Sequence, residues 1–451
     1  RRSEFARAAV ARRTPPSRHF AFNVCCTIMA ARLRRSVSSL ALATWEIAEQ
    51  TPAVLNLAIG QPALSLLPMD AVQDGAARLS STYDARHILQ YGAPAGSGHY
   101  LSALAAFLTA QLQCPHDPST LFATTGNSGG LALVIRTLTK PGDAVLMEEP
   151  SYFLAHKLFR DYGCTLRPVR QRMDGVGTID VEALGQSLEA LAKATADTGS
   201  PASMPRLLYC IPTGNNPTGT TMPDADRAKL VALCTQYGVT IVADDVYEML
   251  QWAMDGSQPK PLRWHAQQQG AGASVVSLGS WSKILGPGLR LGWVDAEGAV
   301  LQQLAADGEV DSGSFSSPLV ESLVATMIER GAVREHLQRL RAALSRRAAL
   351  LAAAINGELP EGLPPVVASA PAGYFLWVDL RGADANELRE RCIASHGVSF
   401  LPGTRCALEA DAAPSYARVC FAFLEEEQLA EAGRRLGRAI AAGHSGSSSG
   451  D

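Results

Sequence analysis

Residues 280–293 read SWSKILGPGLRLGW, and this stretch decides how the rest of the chain is interpreted. One lysine, Lys283, stands between the hydroxyl side chains of Ser280 and Ser282, and Arg290 follows after a Pro-Gly pair that predicts a bend. A single lysine is ordinarily a solvated surface charge. A lysine with two hydroxyls and a guanidinium close by is different, because the amine can attack a carbonyl while the other groups bind a phosphate.

The composition limits the classes of protein to which the chain can belong. Its 451 residues are 47% hydrophobic and 18% charged, which is enough for a large core and for two or three domains. The formal net charge of -3 argues against a nucleic-acid-binding surface. No apolar run reaches the roughly 18–20 residues that a membrane span needs, so we expect no membrane partner.

The cysteines argue against a disulfide framework. Nine of them are scattered along the chain with no CxxC pair, which is typical of reduced thiols inside a cell. Cys210, Cys234 and Cys420 stand in apolar runs, and we interpret them as small core residues. No metal site is predicted.

Residues 1–43 differ in composition from everything that follows. They hold nine arginines and one acid, Glu4, with many Ala and Ser, which is typical of an organelle transit peptide. The alternatives are a disordered arm or translated upstream sequence, and Met29 is a plausible alternative start. A transit peptide implies a mitochondrion or plastid, and otherwise we expect the cytoplasm. We exclude this segment from the fold.

Short apolar strands alternate with helices between residues 121 and 294, which predicts a mostly parallel α/β sheet. LFATTGNSGGLALVIRTL, from residue 121, predicts a strand, a Gly-rich turn and a helix whose first N–H groups suit a phosphate. A simple tight turn fits the same letters. Asn127 and Ser128 lie in this turn. Tyr152 follows the next strand and is either a stacking partner for a flat ring or a core residue.

Two further strands end in polar loops. LLYCI leads into IPTGNNPTGT around Asn216, and ligands of open α/β sheets bind at such carboxyl ends of strands. VTIVADDVY ends its apolar run at Asp244, with Tyr247 three residues later. Acids at the end of an apolar strand are poor core residues unless they are paired, so we favour a functional role for Asp244.

Other segments carry weaker predictions. VLNLAIGQP contains Gly60, which permits a close backbone approach or marks an ordinary turn. Residues 190–205 and 251–273 are interpreted as loops, and Asp224 as the cap of the helix that follows it. From about residue 333, a long amphipathic helix and the strands YFLWVDL, GVSFLPG and YARVCFAF predict a smaller α+β domain.

These pieces meet the needs of a pyridoxal ring. A carboxylate has to keep the ring nitrogen protonated so that the ring withdraws electrons, and Asp244 can do this. The ring oxygen needs hydrogen-bond donors, which Asn216 and Tyr247 can provide. The ring face needs a stacking partner, for which Tyr152 is the candidate. Together with the phosphate-binding groups around Lys283, this predicts pyridoxal 5′-phosphate as the cofactor.

The chain resembles the fold-type I, pyridoxal-5′-phosphate-dependent aminotransferases of class I/II from about residue 54 to residue 440. SWSKILGPGLRLGW resembles the lysine motif of that family, NNPTG its asparagine-proline motif and DDVY its Asp-x-x-Tyr motif. TGNSGG resembles the phosphate loop, with Asn127 where a serine is more usual. IGQP and YARVCF resemble the substrate-binding ends.

The resemblance implies a role for each matching residue. Lys283 forms a Schiff base with the cofactor and then acts as general base and acid, with Asp244 and Tyr247 as the other catalytic residues. Tyr91 reaches a phosphate across a dimer interface. Gly60 and Asn216 lie at the substrate, and Arg418 grips its α-carboxylate. The implied cofactor-binding residues are Tyr91, Asn127, Ser128, Tyr152, Asn216, Asp244, Tyr247, Ser280, Ser282, Lys283 and Arg290.

The resemblance also implies a fold and an assembly. The fold is a large domain with a mixed, mostly parallel sheet and a smaller α+β domain built from both chain ends, and the active unit is a homodimer. The Asn216–Pro217 bond is a candidate for the cis form. The implied division is a presequence or disordered arm (1–43), small-domain residues (44–90 and 326–440), the large domain (91–325) and a disordered tail (441–451).

The expected activity moves an amino group between an L-amino acid and a 2-oxo acid. One alternative with the same cofactor is a carbon–sulfur or other β/γ-eliminating lyase. Another is the non-enzymatic sensor domain of a transcriptional regulator, which we disfavour because the Arg-rich residues before Val54 show no convincing pair of DNA-binding helices. For a dicarboxylic substrate the candidate second cations are Arg86, His87, Arg160 and Arg263.

Overall fold

The computed structural model describes residues 54–172, 177–198, 204–252, 258–409 and 411–445. The predicted presequence lies outside these ranges. The strands are β1 (Leu55–Asn56), β2 (Leu121–Thr124), β3 (Ala144–Glu149), β4 (Thr165–Arg170), β5 (Leu207–Cys210), β6 (Thr240–Asp244), β7 (Val275–Ser280), β8 (Gly292–Asp295), β9 (Phe375–Asp379), β10 (Val398–Ser399), β11 (Leu401–Pro402) and β12 (Tyr416–Cys420).

The helices surround the sheets and follow the strands in alternation over the first part of the chain. They are α1 (Met69–Thr82), α2 (Ala85–Leu89), α3 (Gly98–Leu112), α4 (Gly126–Leu138), α5 (Phe153–Asp161), α6 (Val181–Thr198), α7 (Asp224–Gln236), α8 (Leu262–Gln268), α9 (Gly298–Ala305), α10 (Gly308–Asp311), α11 (Pro318–Glu329), α12 (Ala332–Asn356), α13 (Ala385–Arg391) and α14 (Glu426–Ser445). Within the described ranges, no helix is both long enough and apolar enough to cross a membrane.

The central sheet has seven strands in the order β2-β8-β7-β6-β5-β3-β4. β8 is antiparallel to both of its neighbours, and the other adjacent pairs are parallel. Strands β3, β5 and β7 are buried along their whole length, as expected for parallel strands covered on both faces. The predicted mixed, mostly parallel sheet is confirmed. Its parallel strands deliver their carboxyl ends, and the loops after them, to one edge.

Both ends of the chain meet in the smaller sheets. β9, β11 and β12 form an antiparallel sheet, and β1 pairs with β10 in parallel. Leu57 is fully buried, and its backbone bonds to both Ser399 and Cys420. The N-terminal segment therefore packs with C-terminal elements, as the sequence predicted, while the domain boundaries themselves stay a prediction.

Three local predictions were wrong. Residues 190–198 belong to α6 rather than to a loop, because alanine is the best helix former even where large apolar residues are few. The segment 251–273 contains α8. Asp224 is the first residue of α7 and does not cap it; its carboxylate accepts from the backbone of Lys260 instead.

Two further corrections concern the NNPTG loop and the C-terminal end. The cis peptide bond of the described residues joins Glu149 to Pro150, so Asn216–Pro217 is not cis. α14 continues to Ser445, and residues 441–445 are therefore helical rather than part of a tail. The three cysteines interpreted as core residues, Cys210, Cys234 and Cys420, are fully buried.

Candidate active site

Lys283 ends a single 3-10 turn that begins directly after β7. Its Nζ donates to the carbonyl of Gly60 at 2.7 Å and lies 5.4 Å from the ring centre of Tyr374. Burial is the main cause that lowers the pKa of Lys283 to about 8, with Arg418 acting in the same direction and Asp244 opposing it. At pH 7 about a tenth of this amine is therefore neutral, which is the nucleophilic form, and this fraction is far larger than for a solvated lysine.

Gly60 is a position where the backbone has to approach closely. A Cβ atom there would lie 2.8 Å from Cζ of Phe375, so a larger residue would displace the ring or the chain. The close approach brings the Gly60 carbonyl to the amine of Lys283. Sequence reasoning brought Gly60 to the site but gave no sign of this bond.

Asp244 is the last residue of β6, and only one of its two carboxylate oxygens has hydrogen-bond partners among the described residues. Its Oδ2 accepts from the hydroxyl of Tyr209 at 2.6 Å and from Nδ2 of Asn127 at 2.9 Å. Its Oδ1 is buried and has no partner among the residues that the structure describes. Burial raises the pKa of Asp244, and the two donors oppose that shift. The free oxygen fits the N–H of a protonated pyridine ring, which would satisfy it.

A second group of donors gathers at the start of α4. The hydroxyls of Ser280 and Ser282 are 3.0 Å apart. Arg290 has a left-handed backbone, with φ of 48°, and its Nη2 donates to the carbonyl of Thr125 at 3.2 Å. A Cβ on Gly126 would lie 3.0 Å from Nη2 of Arg290, so glycine permits the guanidinium to reach the helix N-terminus. Arginine, hydroxyls and helix N–H groups together suit a phosphate.

Asn127 and Ser128 of the Gly-rich turn have different surroundings. Ser128 lies in the first turn of α4, and Arg290 donates to the residue that precedes this helix. The side chain of Asn127 instead donates to Asp244, so it serves the carboxylate rather than the hydroxyl pair.

Arg418 on β12 joins the site to the NNPTG loop. Its Nη1 donates to Oδ1 of Asn216 at 2.9 Å, and its Nη2 donates to the carbonyl of Ala58 at 2.6 Å. The guanidinium lies 4.2 Å from the ring centre of Phe375. Its Nε is buried without a hydrogen-bond partner in the described part of the chain. A held guanidinium with a free N–H fits a substrate carboxylate.

The three tyrosines of the predicted site differ in position. Tyr247 is buried and packs 5.6 Å from Tyr374, between ring centres. Tyr152 precedes α5, and burial, with Asp244 as a second cause, raises the pKa of its hydroxyl to about 12. Tyr91 is 83% exposed and its ring lies against Gly313. Within one chain Tyr91 therefore stands apart from the buried group around Lys283.

Arg263, a candidate for binding the second carboxylate of a dicarboxylic substrate, forms ion pairs within the protein instead. Arg263 is buried and pairs with Asp295 at 3.3 Å and with Glu297 at 3.2 Å. The other candidates are surface groups, and Arg86 and His87 both lie beside Asp84.

Sequence reasoning missed three aromatic residues that shape the site. Tyr209 looked like a core residue of β5, yet a tyrosine in an apolar strand needs a partner for its hydroxyl, and that was a usable signal. The hydroxyl of Tyr374 donates to the carbonyl of Lys283 at 2.7 Å. Phe375 covers Gly60 and Arg418. No pattern in the sequence singles out the last two.

Comparison with known proteins identifies the family. The profile of the family "Aminotransferase class I and II" matches residues 52–436. The chain is 28% identical over 396 residues to an aromatic-amino-acid aminotransferase of Thermococcus litoralis, covering 87% of this chain and 89% of the relative. It is 27% identical over 439 residues to the mitochondrial kynurenine/alpha-aminoadipate aminotransferase of Bos taurus, covering 92% of this chain and 98% of the relative.

Solved structures agree. The multiple substrate aminotransferase of Thermococcus profundus superposes with a TM-score of 0.78 at 25% identity, over 90% of this chain and 95% of that one. The alpha-aminoadipate aminotransferase of Thermus thermophilus, solved with N-(5′-phosphopyridoxyl)-L-leucine, gives a TM-score of 0.72 at 29% identity, over 87% and 94%. A phosphopyridoxyl group in that neighbour, together with the family, implies pyridoxal phosphate. The chain therefore belongs to the class I and II aminotransferases and is an enzyme, a transaminase.

Proposed function

We propose that this aminotransferase carries pyridoxal 5′-phosphate on Lys283 and binds the α-carboxylate of an L-amino acid with Arg418. The observation that carries the proposal is the buried, unpartnered Oδ1 of Asp244, close enough to Lys283 to affect the pKa of its amine. A buried carboxylate oxygen without a donor within the described residues is costly, and a protonated ring nitrogen supplies the missing donor.

The other residues are assigned roles from their positions around Lys283 and Asp244. Ser280, Ser282, Ser128 and Arg290 would hold the phosphate at the N-terminus of α4. Asn127 joins Tyr209 in orienting Asp244. Tyr247 and Asn216 would donate to the ring oxygen, and Tyr152 would stack on the ring.

The substrate would be positioned by Arg418, whose free Nε–H and fixed Nη atoms can donate to a carboxylate while Asn216 holds the guanidinium through Nη1. The chemistry that the cofactor supplies when bound is withdrawal of electrons from the Cα of the amino acid attached to it. As a free amine, Lys283 would take the proton from that Cα as general base and would deliver it to the cofactor as general acid. Its lowered pKa suits both steps, because a general base works best near the operating pH.

The test is an amino-donor panel on purified protein loaded with pyridoxal 5′-phosphate. Donors are L-2-aminoadipate, L-kynurenine, aromatic L-amino acids and L-alanine, with 2-oxoglutarate as acceptor. We expect glutamate and the matching 2-oxo acid in equal amounts, and only when the acceptor is present. Ammonia and pyruvate released without an acceptor from L-cystathionine, whose Cβ–S bond can break with homocysteine as the leaving group, would assign the lyase activity instead. The panel includes aromatic amino acids and 2-aminoadipate because two relatives are named as aminotransferases of these substrates.

We further propose a homodimer. Three large apolar residues from the first part of the chain, Leu64, Leu89 and Tyr91, are 84%, 71% and 83% exposed, which supports a partner surface there. Light scattering of the loaded protein checks the mass. Mixing Tyr91→Phe protein with Lys283→Ala protein checks whether Tyr91 serves the site of the partner subunit, since mixed dimers would then recover activity.

The compartment is proposed from residues 1–43 and from the mitochondrial relative of Bos taurus. A fusion of the full chain to a fluorescent protein, compared with a fusion lacking residues 1–43, checks mitochondrial import. Diffuse fluorescence from both fusions would reject a transit peptide.

A further inference from the structure

Glu148 is a buried carboxyl group that the roles above do not use. It is the second-to-last residue of β3 and is 2% exposed. It lies at the carboxyl end of the strand, on the same edge of the sheet as Lys283. Neither the lysine motif nor the NNPTG motif includes it. Its contacts lead directly to the loop that carries Asn216.

Both oxygens of Glu148 accept hydrogen bonds from neutral N–H groups. Oε2 accepts from the backbone N–H of Ile211 and from Nδ2 of Asn215, each at 2.9 Å. Oε1 accepts from Nε2 of Gln171 at 3.0 Å. Within the described ranges no cation pairs with this carboxyl. Burial raises the pKa of Glu148 to about 7, and the three donors oppose that shift.

Asn215 also forms hydrogen bonds with other residues of the same loop. Its Oδ1 accepts from both the backbone N–H and the hydroxyl of Thr218, at 3.1 and 3.0 Å. Its own backbone bonds to Thr220 and Gly219, at 2.8 and 2.7 Å. The side chain and the backbone of Asn215 are thus both fixed, with Glu148 bound to its amide group.

The next residue along the chain is the one that contacts Arg418. Asn216 accepts from Nη1 of Arg418 at 2.9 Å and is itself buried. Because Asn215 fixes the backbone on one side of Asn216, it restricts the directions from which the Asn216 side chain can accept from Arg418.

We propose that Glu148 is a positioning residue for substrate binding, which acts through Asn215 and Asn216 to align Arg418 with the α-carboxylate of the substrate. This inference rests on the proposed role of Arg418. It requires that loss of Glu148 weaken carboxylate binding more than cofactor binding, because Asn216 is only one of the two residues proposed for the ring oxygen. Among the described residues, the hydrogen-bond partners of Asp244 and Arg290 do not include Glu148, Asn215 or Asn216.

The experiment measures binding and turnover separately in the loaded enzyme. The binding probe is 3-phenylpropanoate, a carboxylate without an amino group, followed by the change that it causes in the visible absorbance of the cofactor. For Glu148→Ala we expect the Kd of the probe and the KM for the amino acid to rise about tenfold. We expect kcat to fall less than about threefold. The wavelength of the cofactor's absorbance maximum should stay the same, and the cofactor affinity should stay within about twofold of that of the unmodified protein.

Two more variants separate positioning from a general loss of structure. Glu148→Gln keeps one acceptor oxygen for Ile211 and Asn215, and Gln171 can turn its amide to match, so it should bind the probe within about threefold of the unmodified protein. Asn215→Ala should reproduce Glu148→Ala. The double variant should be no weaker than either single variant, because both changes break the same contact.

The matched control is Asp295→Asn, which alters an equally buried carboxyl at the opposite edge of the sheet. It should lower the melting temperature and leave probe binding unchanged. Unchanged probe binding in a folded Glu148→Ala, or a loss of cofactor affinity in proportion to the loss of probe binding, would overturn the proposal. If Glu148→Ala fails to fold, Asn215→Ala tests the same contact, and unchanged probe binding in that variant would overturn the proposal equally. Absence of turnover in the unmodified protein would count against the proposed function alone, because the probe reads binding without turnover.

Discussion

Two aspartates at opposite edges of the central sheet are equally buried and differently bonded. Asp244 ends β6, Asp295 ends β8, and each is 2% exposed. Asp295 has a partner on both oxygens, Nδ1 of His116 at 2.9 Å and Nε of Arg263 at 3.3 Å. Asp244 has two donors on one oxygen and, among the described residues, none on the other.

The carboxylate of Asp295 has a partner on each oxygen, as a structural group does, whereas the carboxylate of Asp244 keeps one oxygen without a partner among the described residues. At the edge that holds Lys283, the buried polar atoms that lack a partner within the described residues include Oδ1 of Asp244, Nε of Arg418 and Oδ1 of Asn127. Buried polar groups are nearly always hydrogen-bonded, and each unpaired one costs stability. Their presence on one edge is understandable if a ring nitrogen and a carboxylate complete the site. Asp295 needs no such partner.

The largest effect should come from Lys283. Lys283→Ala removes the amine that joins the cofactor, so we expect the visible absorbance of the bound cofactor to disappear and kcat/KM to fall at least about thousandfold. The control is Lys157→Ala, an exposed lysine that pairs with Asp161 on the surface of α5. Equal absorbance and turnover in both variants would contradict the role given to Lys283.

The two aspartates should then separate activity from stability. Asp244→Asn should lower kcat about a hundredfold, because an amide holds no charge against a protonated ring nitrogen, and it should not lower the free energy of unfolding of the cofactor-free protein. Asp295→Asn should leave kcat within about threefold and lower that free energy by about 3 kcal/mol, because it weakens a buried ion pair with Arg263. Urea denaturation and steady-state kinetics measure the two quantities. Similar changes in both variants would erase the distinction.

Much of this candidate site could be proposed from the sequence, because its chemistry requires particular residue types. A lysine between hydroxyls, and acids at the end of an apolar strand, are hard to explain as core or surface, so Lys283 and Asp244 stood out. The parallel strands explain why such residues converge, since their carboxyl ends share one edge.

What the sequence did not reveal depends on contacts between distant segments. Tyr209 and Phe375 belong to apolar runs and have the composition of ordinary core, and only the folded chain brings them to Asp244 and Gly60. Asn127 was assigned to the phosphate by its place in the turn, but its amide points at the carboxylate. The helix over residues 190–198 was missed for a different reason, since helix propensity outweighed a shortage of large apolar residues.

The pH dependence of cofactor binding tests the environment of Lys283. Its pKa is lowered to about 8, so the neutral, reactive amine is in the minority below that pH and dominates above it. For cofactor-free protein we expect the rate of loading with pyridoxal 5′-phosphate to rise about tenfold between pH 6 and 7 and to level off above about pH 8. A rate still rising at pH 9.5 would indicate an ordinary, solvated lysine. In Asp244→Asn the plateau should begin at lower pH, because the carboxylate favours the charged amine.

The smallest effect should distinguish the two donors of Asp244. Tyr209→Phe and Asn127→Ser each remove one hydrogen bond, worth about 1 kcal/mol, so each should lower kcat about fivefold while cofactor affinity stays within about threefold. Asn127→Ser is the informative variant, because serine is the residue more usual at this place in the phosphate loop. If the amide of Asn127 held the phosphate, cofactor affinity would change in Asn127→Ser and not in Tyr209→Phe. If it holds the carboxylate, the two variants should match in kcat and in cofactor affinity, since both act on the same oxygen of Asp244.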